Sequence, residues 1–62
     1  MKYTVEINHD QTINGLTKKE AIQQAKLYAE DGDHVIISWF RASDGQHGYL
    51  NRDGHAVSGK PW

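Results

Sequence analysis

The hydrophobic pattern of the chain is densest between residues 34 and 57. Val, Ile, Trp and Phe are concentrated in residues 34–42, and Asp44-Gly45 separates this run from a second one that ends at Asn51. An Asp-Gly pair between two apolar runs is typical of a β-hairpin turn. The pattern therefore predicts two hairpin strands and, after a second Asp-Gly pair at 53–54, the start of a further strand.

Residues 2–8 alternate between polar and apolar positions, with Tyr3, Val5 and Ile7 on one side. A period of two predicts a strand that has one buried face and one solvated face. The polar segment 9–15 has the length of a connection between a strand and a helix, and we predict a loop there.

A helix is predicted to begin at Thr17, because Thr17 and Glu20 have capping-box spacing. Leu27 falls on its polar side, and Gly32 is expected to end it, after about fourteen residues, in a left-handed conformation. Five residues share the apolar helical face at a period of 3.6: Ala21, Ile22, Ala25, Tyr28 and Ala29.

These elements predict a single small α+β domain that spans 1–62. One helix packs on one face of a three- to four-stranded, mainly antiparallel sheet, in the order β-α-β-β, with a short last strand near 55–58. Pairing of the first strand with the strand at 34–42 would instead give a parallel crossover, which the apolar character of that strand favours. Residues 59–62 are expected to form a flexible or back-folded tail, since Pro61 does not fit a central strand.

The register of the central hairpin depends on the length of its turn. A two-residue turn sets Trp39 opposite Leu50 and Phe40 opposite Tyr49, and a similar second turn sets Leu50 opposite Val57. A three-residue turn pairs Trp39 with Tyr49 and inverts the faces. Both registers stay open at this point.

One helix covers only one side of the sheet, so apolar residues of the central strand are left uncovered under both registers. The uncovered set is either Phe40 with Ile36, or Trp39 with Val35 and Ile37. Exposed apolar patches mark protein interfaces, where Tyr and Trp are frequent energetic anchors. We therefore predict a partner-binding surface that contains Ile36, Phe40, Tyr49 and Trp39.

Three occupants of this surface stay open: the back-folded tail with Trp62, a second copy in a homodimer, or a different protein. A chain of 62 residues without cysteine forms its core by packing alone, or completes it with a second copy or a partner. Its N-terminus lacks the pattern of a secretory signal, and it has no run of about 20 apolar residues. We expect a cytoplasmic protein.

No residue pattern points to catalysis, a metal or a cofactor, and we predict a non-enzymatic protein. The four histidines lack the spacing of a known metal site. Asp44 and Asp53 are explained as turn residues, and a domain of this size has little room for a substrate pocket. The histidines in question are His9, His34, His47 and His55.

The alternative function is nucleic-acid binding. Sheet aromatics beside basic residues stack bases in some single-strand binders, which here would involve Tyr49 and Phe40. The net charge of −1 and a pI near 6.4 lie far from those of an electrostatic binder. Glutamates also interleave with the helix lysines, as on an ordinary solvated helix. The basic residues are Lys18, Lys19 and Lys26, with Arg41, Arg52 and Lys60 as possible extensions.

The order of strand, capped helix, strand, Ser-Asp-Gly turn, strand with Tyr49-Leu50, Asp53-Gly54 and terminal Trp resembles some very small phage and mobile-element proteins, including certain anti-CRISPR inhibitors. Those proteins act by occluding a protein or nucleoprotein surface. The resemblance thus implies a phage-like protein that binds a protein partner. It carries no functional residue over to this chain.

Overall fold

A computed structural model describes residues 1–51 and 53–57. Within them the elements are β1 (Lys2–Ile7), β2 (Gln11–Leu16), α1 (Lys18–Glu30), β3 (Val35–Arg41), β4 (Gln46–Leu50) and β5 (Ala56–Val57). The strands of this part form one antiparallel sheet in the order β2-β1-β3-β4-β5. The predicted α+β class is confirmed, with five strands instead of three or four.

The segment 9–15, predicted to be a loop, contains β2, so that prediction was wrong. β1 leads into β2 through Asn8 and His9, which have φ of 53° and 63°. The Asp10 N–H donates to the Ile7 carbonyl at 3.2 Å. Positive φ at both central residues is the conformation of a type I′ hairpin turn, which Asn tolerates well.

The hydrophobic pattern missed β2 because this strand lies at the edge of the sheet. Its sequence is QTINGL, and only Ile13 and Leu16 are partly buried. An edge strand that buries little apolar surface does not alternate clearly between polar and apolar residues. Gly15, at φ 74°, accompanies an irregularity in the pairing of β1 with β2.

The strand β2 also decides the topology, because it reverses the chain before the helix. β3 therefore runs antiparallel to β1, with Tyr3 opposite Trp39 and Val5 opposite Ile37. The prediction that a central β3 requires a parallel crossover was wrong, because β2 adds a reversal of the chain. The structure has both the central strand and the antiparallel sheet.

The helix α1 begins and ends as predicted. Thr17 Oγ1 accepts from the Glu20 N–H at 3.2 Å, and Glu20 Oε1 accepts from the Thr17 N–H at 3.0 Å. Gly32 follows the helix at φ 86°, and its N–H and the next one donate to carbonyls of the last turn at 3.0 and 3.1 Å. This is the Schellman pattern, which satisfies the terminal carbonyl groups.

The core lies between α1 and the sheet. Ala21 and Ala25 are the buried helix residues, and their small side chains let the helix approach β1 and β3 closely. The other predicted face residues, Ile22, Tyr28 and Ala29, pack partly buried against the same core. The buried cluster contains Tyr3, Val5, Ile7, Ala21, Ala25, Val35, Ile37 and Leu50.

The central hairpin has a register that neither predicted turn length gives. Trp39 lies opposite Gly48 and Phe40 opposite His47, so residues 42–45 form a four-residue turn. Relative to the two-residue turn the pairing shifts by two positions, and a shift of two keeps each side chain on its face. Leu50 consequently lies on the helix side with Ile37, its partner across the strands.

The pairing predicted between Leu50 and Val57 was also wrong. Leu50 lies opposite Ala56, and Val57 lies opposite Tyr49. Val57 is therefore on the side of the sheet that α1 does not cover. The predicted tail at 59–62, including Trp62, lies outside the described residues.

Candidate protein-binding face

The side of the sheet opposite α1 is called the open face here. The strand register orders its side chains in three rows that run across the strands. The first row crosses β1, β3 and β4, the middle row runs from β1 to β5, and the third crosses β2, β1 and β3. In this order the rows are Lys2, Phe40 and His47; Thr4, Ser38, Tyr49 and Val57; and Thr12, Glu6 and Ile36.

The accessible apolar part of the open face is centred on Phe40. Phe40 is 51% exposed; it belongs to the central strand of the five-stranded sheet and lies one residue before the end of that strand. Tyr49 and Val57 are half-buried in the neighbouring row. Ile36 is only 2% exposed and does not belong to the core cluster under the helix. Ile36 therefore lies on the open face but offers little accessible surface to a partner.

Trp39 lies on the opposite side of the sheet from the other three predicted site residues. It packs half-buried against the core cluster under α1. Its indole ring occupies the space over Gly48, where an added Cβ would lie 2.9 Å from ring atoms. The structure thus brings Ile36, Phe40 and Tyr49 to one face and places Trp39 on the other.

Two opposite charges lie at the two ends of β1 on the open face. Lys2 is next to Phe40 and is exposed, and within the described residues it makes no ion pair. Glu6 is next to Ile36, two rows away, and its Oε1 lies 3.3 Å from His9 Nδ1. The row between them carries neutral side chains.

Two histidines that are far apart in sequence stack on each other at one end of the sheet. The rings of His9 and His34 lie 4.9 Å apart with an angle of 27°. Asn8, next to His9, links the β1–β2 turn to the segment before β3. Its Oδ1 accepts from the His34 N–H and its Nδ2 donates to Asp33 Oδ1, both at 2.9 Å. This contact was not predictable from the sequence, since it depends on the pairing of β1 with β3.

The described part of the chain contains no cluster of three or more His, Cys, Asp or Glu side chains that would hold a metal ion. The stacked histidines therefore do not extend into a metal centre there. His47 lies on the open face, and His55 lies in the connection between β4 and β5.

Asp44 has the turn role that its position predicted. It accepts from Arg41 Nε at 3.0 Å and from the Gln46 N–H at 3.1 Å, and it pairs with Arg41 Nη2 at 2.9 Å. These contacts hold the pKa of Asp44 below its ordinary value, with Arg41 as the main cause. An acid with a lowered pKa that is bound within its own turn is poorly suited to proton transfer.

Three cavities formed by described residues lie along α1 and not on the open face. One with a volume of about 380 Å³ lies on the outer side of α1. Its lining has no serine, threonine, cysteine or histidine, so it lacks the hydroxyl or thiol nucleophile and the histidine base of a hydrolase site. The lining residues are Gln23, Gln24, Lys26, Leu27 and Glu30.

The helix lysines and the sheet aromatics lie on opposite sides of the molecule. Lys18, Lys19 and Lys26 belong to α1, whereas Phe40 and Tyr49 are on the face that α1 does not cover. Stacked bases and contacted phosphates of a single strand require aromatic and basic residues on one surface. The geometry does not provide this combination with the helix lysines, and Arg52 and Lys60 lie outside the described residues.

No helix in the described part of the chain is long and apolar enough to cross a membrane. Comparison of the chain with protein-family models, with curated proteins and with solved structures gave no match.

Proposed function

We propose that this protein is a small non-enzymatic binding module that contacts a protein partner through the open face. The observation that carries the proposal is the 51% exposure of Phe40 in the central strand of the sheet. Aromatic side chains bury much area with few rotatable bonds, so they give binding energy at a low entropic cost. Phe40 and the half-buried Tyr49 form the anchor of this surface.

The surroundings of Phe40 have the pattern of an interface centre with a polar rim. Val57 and Tyr49 continue the apolar surface toward β5, and polar side chains of β1 and β3 flank it. Protein interfaces combine an apolar centre with such a rim. The cytoplasmic location and the phage or mobile-element type belong to this proposal too.

The proposal is tested by capture of partners from the native host with wild-type protein, Phe40→Asp and Leu27→Asp. Leu27 is the matched control because it is 58% exposed, lies on α1 and takes the same new charge. A defined protein that binds wild type and Leu27→Asp but not Phe40→Asp is the expected result. Equal capture by all three variants would remove the open face from the proposal.

The salt dependence of binding separates a protein partner from a nucleic acid. Affinity for a captured protein that contacts the aromatic surface is expected to fall far less between 50 and 500 mM salt than binding through phosphate contacts, which weakens steeply. Generic single-stranded DNA and RNA are expected to give no binding at low salt. Salt-sensitive binding of these oligonucleotides that is lost in Phe40→Asp would replace the proposal by the nucleic-acid alternative.

A further inference from the structure

We propose that the partner of the open face is a second copy of this chain, related to the first by a two-fold axis across the strands. The axis lies between the two sheets, along the middle row of the open face. This inference rests on the proposed function and adds the identity of the partner and the symmetry operator. The middle row consists of Thr4, Ser38, Tyr49 and Val57.

Rotation by 180° about this axis places the strands of the second copy in the same order across the sheet, and each strand runs opposite to its counterpart in the first copy. β1 then lies over β1 of the second copy, and β3 lies over β3. The apolar part of the open face, on β3 to β5, meets the same apolar part, and the polar part on β1 meets its equivalent. A two-fold interface requires a surface that is complementary to itself in this way.

The charges on β1 favour this operator. Rotation about the middle row exchanges the two outer rows, so Lys2 of each copy faces Glu6 of the other. The interface contains this pair twice. Lys2, which makes no ion pair in the described part of the monomer, gains one. A two-fold axis along the strands would place β1 against another strand and would not pair these charges.

The aromatic residues are accommodated by the same rotation. Tyr49 meets Tyr49 near the axis, and Phe40 lies over the row of Ile36 in the second copy. Two face-to-face sheets pack about 10 Å apart with interdigitated side chains, which is enough to cover the exposed half of Phe40.

The size of the open face predicts a weak, reversible dimer. Five strands of about six residues, with a rise of about 3.3 Å per residue and a spacing of about 4.8 Å between strands, give a face of roughly 450 Å². Two such faces bury at most about 900 Å², which is below the ~1,000 Å² that a stable specific interface usually exceeds. Self-association is therefore expected to depend strongly on protein concentration.

The test is sedimentation equilibrium of wild type, Lys2→Glu, Glu6→Lys and an equimolar mixture of the two variants. Each single variant places like charges opposite each other twice, and we expect its dimer Kd to rise about tenfold or more. In the mixture both pairs are opposite in charge again, so a heterodimer with a Kd near that of wild type is expected. The double variant with both substitutions is also expected to dimerise like wild type.

Lys19→Glu and Glu30→Lys make the same charge changes on α1 and are expected to leave the dimer Kd unchanged. Circular dichroism checks that every variant is folded, which matters for Glu6→Lys because it loses the contact with His9. A wild-type chain that stays monomeric at millimolar concentration overturns the inference. So does a mixture that associates no better than the single variants.

The failure of this inference is distinguishable from the failure of the proposed function. A monomeric wild type that still captures a different protein, in a manner sensitive to Phe40→Asp, removes the second copy and keeps the binding module. A monomer whose captured proteins do not depend on Phe40 removes both.

Discussion

The two faces of β3 carry similar apolar residues but have different surroundings. On the helix face Val35 and Ile37 are fully buried, whereas on the open face exposure rises from 2% at Ile36 to 51% at Phe40. The residues of both faces belong to β3 and are all strand-forming types, so strand propensity does not explain the difference in exposure. The difference arises because the described part of the chain has one helix, Lys18–Glu30, which covers one side of the sheet. Side and position along the strand together decide exposure, because Ile36 on the open face is nearly as buried as Val35 and Ile37, and Phe40, near the end of β3, is the residue available to a partner.

The largest expected difference in the free energy of unfolding is between an alanine substitution on the helix face and one on the open face. Ile37→Ala leaves a cavity in the core and is expected to lower the free energy of unfolding by about 2–5 kcal/mol. Phe40→Ala removes a half-exposed side chain and is expected to cost less than about 1 kcal/mol in dilute protein. Urea denaturation followed by circular dichroism measures both values.

Ile37→Val, with an expected loss of about 1 kcal/mol, replaces Ile37→Ala if the alanine variant is mostly unfolded. Equal losses at Ile37 and Phe40 would show that the open face is as well packed as the helix face. That result would contradict the comparison.

An intermediate effect is expected on the helix face at Gly48. An added Cβ would lie 2.9 Å from the indole of Trp39, so Gly48→Ala forces the ring to move and is expected to cost about 1–3 kcal/mol. In a Trp39→Leu background the same change meets less obstruction and is expected to lose most of its cost. The double-mutant cycle is measured by thermal unfolding. Additive effects of the two changes would show that the indole does not constrain Gly48.

The smallest effect concerns the capping box that starts the covering helix. The Thr17 N–H, and next the Thr17 side chain, lower the pKa of Glu20 from its usual 4.5. A group whose folded pKa is lowered contributes stability above its unfolded pKa and loses it as the pH falls through the folded pKa. Wild type is therefore expected to lose slightly more stability than Glu20→Gln between pH 6 and pH 3.

Glu20→Gln is the control because a glutamine keeps the hydrogen bond but does not titrate. Denaturant midpoints at each pH provide the measurement. Parallel pH profiles of the two proteins would show that the Glu20 carboxylate does not contribute to helix stability.

The helix was predictable because its signals are local. Its start depends on two side chains three residues apart, Thr17 and Glu20, and its end on Gly32. Its buried face follows from a period of 3.6 within one element. The strand Gln11–Leu16 had no such signal, since an edge strand contacts the core with few side chains.

The hairpin register was not predictable from the Asp-Gly pair alone. The turn at 42–45 is stabilised by the Arg41–Asp44 ion pair and by the Gln46 N–H, which bonds to Asp44. These contacts favour a longer turn than Asp-Gly by itself suggests. The grouping of Phe40 with Tyr49 was still predictable, because the two-residue and four-residue turns place them on the same face. Trp39 was included with them because the alternatives for the uncovered face were left open.

The strand order also bears on how fast the protein folds. The pairs β1–β2 and β3–β4 are hairpins that close over a few residues, whereas β1 and β3 meet only after the intervening hairpin arm and helix are spanned. Closing this long segment carries the largest entropic penalty of the sheet. We therefore expect two locally formed halves to dock along β1 and β3 in the rate-limiting step. Substitutions at Val5 and Ile37, on that seam, should then slow folding more than substitutions within either turn.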